Sequence, residues 1–404
     1  MTSVSAPGGD AQRPWWTSNR ALVLWCGLGA VWLGAAHLDW FEPLTAHSDR
    51  DGLYKLQGIA DDPSFRALWH YFWGDDPQRV HTFRPLAAAA LWGEWHLFGF
   101  TRWPYYLVNL GWLWATALTV TVMARRLRVP EPWATLAGPL LLLWPTLGTQ
   151  SVAGGIATRH DELCTLFGLW ALLALLAWRD GGGRRALWAY LGWALAACLS
   201  KEQGLILLPL GVILGAGTSW RRLAATVGGS VVVGLVYLRW YAFAVAHMAS
   251  EAHRSHTFGG MLDLLLHRGV GTSGRLFAYN LAWYPTDTVS QLYAGGWAAL
   301  TSMIMWKSAL LGVLTLAGWY LIWRDHRRLG GVILLYKVVI YLPVLPLHDT
   351  WPWYVYMPHV LDPVLYAAMG CALWRRTPPW RVVHRWLDER GLLLRIGPRR
   401  NGAE

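Results

Sequence analysis

Residues 159–179 read RHDELCTLFGLWALLALLAWR, and this stretch decides the class of fold. Charged residues come first, an apolar run follows from about residue 162 to residue 178, and an arginine closes it. A run of about 20 predominantly apolar residues is long enough to cross the hydrocarbon core of a membrane as a helix. The stretch therefore predicts a transmembrane helix that begins with a group of charged side chains.

Similar apolar segments recur along the chain and predict an all-α integral membrane protein with about ten transmembrane helices. They lie at about 21–39, 105–124, 131–148, 162–178, 186–200, 203–219, 223–245, 299–323, 330–347 and 353–374. Of the 404 residues, 54% are hydrophobic and 15% are charged, whereas a soluble domain carries about 25% charged residues. Lipid must therefore cover much of the surface. The 30 Trp residues are typical of belts at the membrane–water interface.

Basic residues collect in alternate loops, which predicts the orientation of the chain. The richer set comprises Arg125, Arg126 and Arg128, then Arg179, Arg184 and Arg185, then Arg221 and Arg222, and finally Arg324, Arg327 and Arg328. The short loops of the other set hold Arg159 and Lys201. Because loops rich in Lys and Arg stay in the cytoplasm, both termini are expected there, with the bacterial inner membrane as the compartment. The net charge of +11 thus follows membrane orientation, and no nucleic-acid partner is expected.

This orientation divides the chain into three parts. Residues 1–20 are expected to be a disordered cytoplasmic N-terminus, 21–374 the transmembrane domain, and 375–404 a basic cytoplasmic tail. Two long loops, about 40–104 and 246–298, face outward. Within the first, LAAAALWGEWHLFG at 86–99 predicts a short helix lying at the interface, since counting it as a span would invert every later loop.

Charged side chains gather at the outer level of the predicted helices. They are Asp49, Asp51, Arg84, Arg159, His160, Asp161, Lys201, Glu202, Arg239, His348 and Asp349. Charges at membrane level are costly, so they are usually functional or paired. In one outward cavity, a carboxylate could act as general base on an acceptor hydroxyl, while Lys and Arg could hold a lipid-linked phosphate and stabilise it as a leaving group.

Several short motifs follow one another in an order that is known from a family of membrane enzymes. They are the acidic first loop with Asp49 and Asp51, FRPL at 83–86, YYLVNL at 105–110, ARRL at 124–127, RHDEL at 159–163, LSKE at 199–202 and WYVYMP at 353–358. Together they span about residues 20–370. The chain resembles the GT-C superfamily of membrane glycosyltransferases, closest to the branch of the protein O-mannosyltransferases and the tetratricopeptide-bearing transmembrane O-mannosyltransferases.

The resemblance implies an inverting transfer from a polyprenyl-phosphate sugar donor on the outer face, with Asp49 or Asp51 as the catalytic base. Donor-phosphate or base-orienting roles fall to Arg84, Arg159, His160, Asp161, Lys201, Glu202 and Arg239. Sugar or lipid contacts fall to Trp69, Trp73 and Trp283. Related chains often have adjacent acidic residues where this one has Asp-Arg-Asp. The chain shows no tetratricopeptide domain after the last span, so the acceptor could be a glycan, a lipid or a protein.

Simple structural roles compete with these functional ones in the first loop. Asp49 and Asp51 could cap a helix or form a turn. Arg84 could form a structural salt bridge to Asp49 or Asp51.

The later charges have structural alternatives as well. Arg159 and Asp161 could form an ion pair at the start of a helix, and Lys201-Glu202 could be a turn, although the depth of the pair favours a phosphate-binding Lys201. The buried charges Lys337 and Asp362 are expected to neutralise each other, and Asp362-Pro363 suggests a kink. Lys307 also falls within a predicted span.

No metal site or disulfide is indicated by the sequence, although a divalent metal is not excluded. The histidines His247, His253, His256 and His267 share a loop but match no zinc spacing. The cysteines Cys26, Cys164, Cys198 and Cys371 lie within apolar runs and are interpreted as small buried hydrophobes. Two non-enzymatic functions compete with the glycosyltransferase: a transporter of lipid-linked sugars, which would use the same cationic cavity without a base, and a membrane scaffold.

Overall fold

The computed structural model describes residues 18–35, 46–74, 83–143, 153, 155–216, 218–246, 319–324, 327–341, 357 and 360–376. Across these ranges the chain folds into helices without a strand, which confirms the all-α class. The predicted site residues Trp283, His348 and Asp349 lie outside the described residues, as do Lys307, all four loop histidines and the outer loop 247–298.

Twelve α-helices are described within these ranges. In chain order they are α1 (Asn19–Ala35), α2 (Ala46–Asp61), α3 (Phe65–Tyr71), α4 (Pro85–Phe98), α5 (Arg102–Arg126), α6 (Trp133–Leu143), α7 (Arg159–Arg179), α8 (Arg184–Ser200), α9 (Leu207–Gly215), α10 (Trp220–Ala246), α11 (Arg327–Tyr341) and α12 (Asp362–Arg376). A 3₁₀ turn, Glu202–Ile206, joins α8 to α9.

Three of the described helices are long and apolar enough to cross a membrane: α5, α7 and the Trp220–Ala244 part of α10. Shorter apolar helices are α1, α6, the unit formed by the 3₁₀ turn with α9, and the Leu329–Ile340 part of α11. Helices occupy nine of the ten predicted segments, and the segment 299–323 lies mostly outside the described residues. The helical positions thus agree with the sequence, while the number of spans and the GT-C topology stay predictions.

Close helix packing in the core depends on a small residue. The backbone N–H of Gly138 on α6 donates to Thr121 Oγ1 on α5 at 3.0 Å. A Cβ at Gly138 would lie 2.4 Å from the carbonyl oxygen of Ala117, so any larger residue would push α5 and α6 apart. Small residues at helix interfaces allow this kind of approach in membrane proteins.

The basic helix ends meet on one side of the molecule. Arg126, at the end of α5, lies 3.1 Å from Asp180 just after α7, and Arg222 at the start of α10 donates to the carbonyl oxygen of Trp178. Arg125 donates to Asn19 Oδ1 at the start of α1. The structure therefore brings together loops that the charge pattern assigned to one side. From there α7 runs about 30 Å to its charged start at Arg159.

The buried charges Lys337 and Asp362 form a salt bridge between α11 and α12, which confirms the predicted pairing. The kink expected at Asp362-Pro363 stays a prediction, because most of the residues before it lie outside the described ranges. α12 begins at Asp362, so Pro363 occupies its first turn, where the missing N–H costs no helical hydrogen bond.

Removal of one member of this pair is expected to destabilise the protein strongly. Asp362→Asn leaves the Lys337 ammonium buried without its carboxylate, and breaking a buried pair costs about 3–5 kcal/mol. The double variant Lys337→Met/Asp362→Leu should recover much of that stability, because apolar side chains replace the whole pair. Melting of the detergent-purified variants measures both effects. A double variant no more stable than Asp362→Asn would contradict the expectation.

Candidate functional site

The first outer loop supplies a short helix that packs into the protein. Helix α4 begins at Pro85, a residue suited to the first helical position, and confirms the helix predicted at 86–99. It contacts α2, α3, α5, α7 and α8. Its buried face carries Ala87, Leu91 and Glu94. A carboxylate is thereby carried from the loop into the interior, against the start of α7.

Asp49 is the acidic residue of the first loop that reaches this region. Its Oδ2 accepts a hydrogen bond of 2.6 Å from the backbone N–H of Ile156, and its Oδ1 accepts one of 2.8 Å from the N–H of Gly52. Asp49 has extended backbone within α2 (φ −157°, ψ 81°). A Cβ at residue 52 would lie 2.5 Å from Asp49 Oδ2, so any other residue there would displace the Asp49 carboxylate. These hydrogen bonds thus hold the Asp49 carboxylate against the segment that leads into α7.

Burial raises the pKa of the Asp49 carboxyl above its usual range. The two backbone hydrogen bonds act in the opposite direction, as does Arg102, while the charge of Asp51 adds to the increase. Asp51 itself is exposed. The structure therefore separates the two candidate bases: Asp49 is held half-buried against the segment that leads into α7, and Asp51 is exposed.

Arg159, the first residue of α7, is fully buried and binds three side chains. It donates to Asn109 Oδ1 at 2.6 Å and to Glu94 Oε2 at 2.6 Å, and it pairs with Glu162 one turn along its own helix. The expected pair with Asp161 is therefore corrected. Residues two apart on a helix face different directions, whereas residues three apart lie on one face.

Asn109 connects this arginine to the segment that holds Asp49. Its Nδ2 donates to the carbonyl oxygens of Ala153 and Gly155, at 3.2 and 3.0 Å, just before Ile156. The motif 105–110 contained this residue, but its role was not predicted. The available signal was an Asn within an apolar predicted span, because polar groups at membrane depth are usually paired. Glu94 and Glu162 were also absent from the predicted site.

Asp161 forms a second buried cluster with its neighbours. One carboxylate oxygen accepts from Lys201 Nζ, and the other lies 2.9 Å from His160 Nε2. Lys201 caps α8 and is fully buried. Lys201 was predicted to bind a phosphate. In the structure it pairs with a carboxylate inside the protein, where it can position Asp161 and His160.

Arg84 pairs with Glu202 and so links the first loop to the corner after α8. The pairing is bidentate, with Nε to Oε2 at 3.1 Å and Nη2 to Oε1 at 2.7 Å. Glu202 is therefore the salt-bridge partner of Arg84, a role for which the sequence had suggested Asp49 or Asp51. The two side chains remain partly accessible, at 14% and 28%. Arg84 and Lys55 also act electrostatically on His160, so three basic residues lie around one small region.

An aromatic surface adjoins this region. The ring centroids of Trp69 and Trp73 lie 5.8 Å apart, and Trp73 lies 5.5 Å from Trp240 and 5.6 Å from Phe243 on α10. Phe83, the residue before Arg84, packs on Trp240 at 6.0 Å. Trp69 and Trp73 keep exposed ring surface. The predicted aromatic contacts are thus brought together beside the Arg84 pair.

The remaining predictions concern Arg239, the four cysteines and a metal site. Arg239 is exposed on α10, and the structure shows no contact between it and the buried clusters. All four cysteines are buried and unbridged, which confirms their interpretation as small hydrophobes. Among the described residues, no group of three or more His, Cys, Asp or Glu side chains has the arrangement of a metal site.

Searches among protein-family models, curated proteins and solved structures found no match to this chain.

Proposed function

We propose that this protein is a GT-C-type glycosyltransferase that moves a sugar from a polyprenyl-phosphate donor to an acceptor hydroxyl at the outer face of a membrane. One observation carries the proposal. The Asp49 carboxylate, from a distant outer loop, is held 2.6 Å from the Ile156 amide, directly before the helix whose first residues form the buried charge clusters. A partly accessible carboxylate beside a basic region is the arrangement that base-assisted transfer from a phosphate donor requires.

Asp49 is the better base of the two candidates. Its hydrogen bonds fix the carboxylate, whereas Asp51 is exposed. A raised pKa makes Asp49 a stronger base towards an acceptor hydroxyl than an ordinary aspartate. In the proposed step the acceptor oxygen attacks the anomeric carbon, its proton passes to Asp49, and the bond to the donor phosphate breaks with inversion.

The donor phosphate is best accommodated by Arg84, with Lys55 nearby. Arg84 offers a planar donor fork that matches phosphate, and it is partly accessible. Arg159 and Lys201 are fully buried and already bound to carboxylates. Their role in the proposal is positioning: Arg159 through Asn109 and the segment below Asp49, and Lys201 through Asp161 and His160.

The aromatic surface is the proposed place for the isoprenoid chain or the sugar. Trp69 and Trp73 present exposed rings beside Phe83 and the Arg84 pair, and Trp283 and Arg239 belong to the same proposal. The proposal also includes the inner membrane of a bacterium as the location, an outward-facing site, and a glycan, lipid or protein as the acceptor. The support is the ordered series of motifs together with the geometry around Asp49.

Reconstitution separates the proposed enzyme from its two rivals. The purified protein is placed in liposomes with a pool of radiolabelled polyprenyl-phosphate sugars and a crude acceptor extract. Label transferred to acceptor is the expected result. Movement of labelled lipid across the bilayer without transfer would identify a transporter, and neither transfer nor movement would favour a scaffold. Either of these outcomes would overturn the proposal.

Glu202→Gln is expected to lower the KM for the donor. In the structure Glu202 engages Arg84 with both oxygens, so a donor phosphate must compete with it. A partly exposed pair is worth roughly 0.2–1 kcal/mol, which corresponds to a KM lower by up to about fivefold. Steady-state transfer rates against donor concentration provide the measurement. Arg84→Gln is the matched control and should raise KM; a higher KM in both variants would show that the pair is purely structural.

A further inference from the structure

Around Arg159 the buried acids outnumber the buried bases that contact them. Glu94, Asp161 and Glu162 are buried at the start of α7, and the described bases in contact with them are Arg159 and Lys201, whereas the buried Lys55 donates to the carbonyl oxygen of Ala157. Asp161 and Lys201 form one pair. Arg159 contacts both glutamates but carries one charge. One carboxyl group is therefore left without a cation of its own.

An isolated ionised carboxylate in such surroundings is very costly, and the group commonly takes up a proton instead. His160 also belongs to the cluster, and its Nε2 lies 2.9 Å from Asp161. His160 is itself buried, which disfavours a positive imidazole, and the Asp161 carboxylate beside it is already paired with Lys201. Neutralisation therefore falls on a carboxyl group.

The hydrogen bonds identify which carboxyl group it is. Glu94 reaches the protein surface with 11% of its side chain exposed, while Glu162 has 1%. The Oε2 of Glu162 binds Arg159, but its Oε1 is buried without a hydrogen-bond partner. Thr165 Oγ1 is likewise buried without a partner, and it lies one turn along the same face of α7. A proton on Oε1 would remove the negative charge from a buried oxygen that accepts no hydrogen bond.

We infer that Glu162 is a protonated carboxylic acid in the folded protein, so that the start of α7 binds one proton beside the Asp49 site. The proton makes the clusters electrically balanced, with Asp161 paired to Lys201 and Glu94 paired to Arg159. The inference concerns the buried clusters themselves and does not depend on glycosyltransferase activity.

Infrared difference spectroscopy on the full-length protein in lipid tests the proton directly. The carbonyl stretch of a protonated carboxylic acid is separate from the bands of a carboxylate and shifts in heavy water. The wild type at neutral pH should show this band, Glu162→Gln should lose it, and the matched variant Glu94→Gln should keep it. A wild type without the band, or loss of the band in Glu94→Gln alone, would overturn the inference.

Thermal stability supplies a second measurement. A glutamine at 162 is a neutral replacement for a neutral acid and still accepts from Arg159, so Glu162→Gln should melt close to the wild type. Glu94→Gln removes the ionised partner of Arg159 and should melt well below it. The reverse order would place the proton on Glu94. Should Glu162→Gln fail to fold, a wild-type band that persists well above the titration range of an exposed glutamate still supports the proton, and its disappearance within that range contradicts it.

Discussion

Asp49→Asn reduces sugar transfer by about 10²–10⁴-fold, the range that removal of a general base typically gives, whereas Asp51→Asn keeps most of the activity. The reason is geometric. Asp49 is held by the N–H groups of Ile156 and Gly52, while Asp51 is exposed. The measurement is transfer from a radiolabelled polyprenyl-phosphate sugar pool in membranes that contain equal amounts of each variant.

Loss of structure must be separated from loss of the base. An asparagine oxygen can replace one carboxylate oxygen, but its NH₂ group would face the second backbone N–H. Some loss of stability is therefore expected, and the melting temperature of Asp49→Asn should be recorded beside its activity. Full transfer by Asp49→Asn would exclude it as the base; full transfer by both single variants would exclude the mechanism.

The pH dependence of transfer gives an independent check on the same residue. Burial raises the pKa of Asp49, and the base works when ionised, so activity should fall as the pH decreases through this raised value. The acid limb should thus lie above the range of an ordinary aspartate, about 3.9. Because the charge of Asp51 contributes to the increase, Asp51→Asn should move the acid limb to lower pH. An unchanged limb in Asp51→Asn would argue against Asp49 as the titrating group.

The positions of the helices could be predicted from the sequence, because hydropathy indicates which segments are apolar enough to be helices at membrane depth. The helix ends that lie together could be predicted as well, because loop charge indicates which loops share one side. The same information predicted that Lys337 and Asp362 would pair, since few other charges are available within those spans. It could not assign partners at the outer level, where many charges share one depth. Arg84 meets a residue 118 positions away, and Arg159 meets one 65 positions away. Tertiary packing decides which charges become partners, and hydrophobic periodicity gives no information about that packing.

Local geometry produced the other differences. Two residues of the 159–162 run, Arg159 and Asp161, were expected to pair, yet the helical turn directs them to different clusters. Glu94 comes from the first outer loop, and α4 carries it inward because it lies on the same face as Ala87 and Leu91. Knowing that a segment is a helix does not tell which tertiary neighbours its inner face will meet.

Arg159→Gln is the second variant with a large expected effect, and it acts on stability. It leaves the carboxyl groups of Glu94 and Glu162 buried without their shared cation. Breaking a buried ionic cluster in this way costs about 3–5 kcal/mol, a large part of the roughly 5–15 kcal/mol that stabilises a typical native protein. Arg159→Lys should be nearly as harmful, because an ammonium cannot reproduce the guanidinium fork. Expression level and the melting temperature in detergent give the measurement.

A triple variant separates stability from positioning. Glu94→Gln/Arg159→Met/Glu162→Gln removes every charge of this cluster, so it should melt well above Arg159→Gln, as replacing a whole buried ionic group is often tolerated. The side-chain oxygen of Asn109, however, loses the Arg159 donor at 2.6 Å, which fixes the Asn109 amide against the segment before Ile156. If Arg159 acts by positioning, the stable triple variant should transfer sugar slowly at unchanged donor KM. A raised donor KM with unchanged kcat would mean instead that Arg159 binds the donor itself.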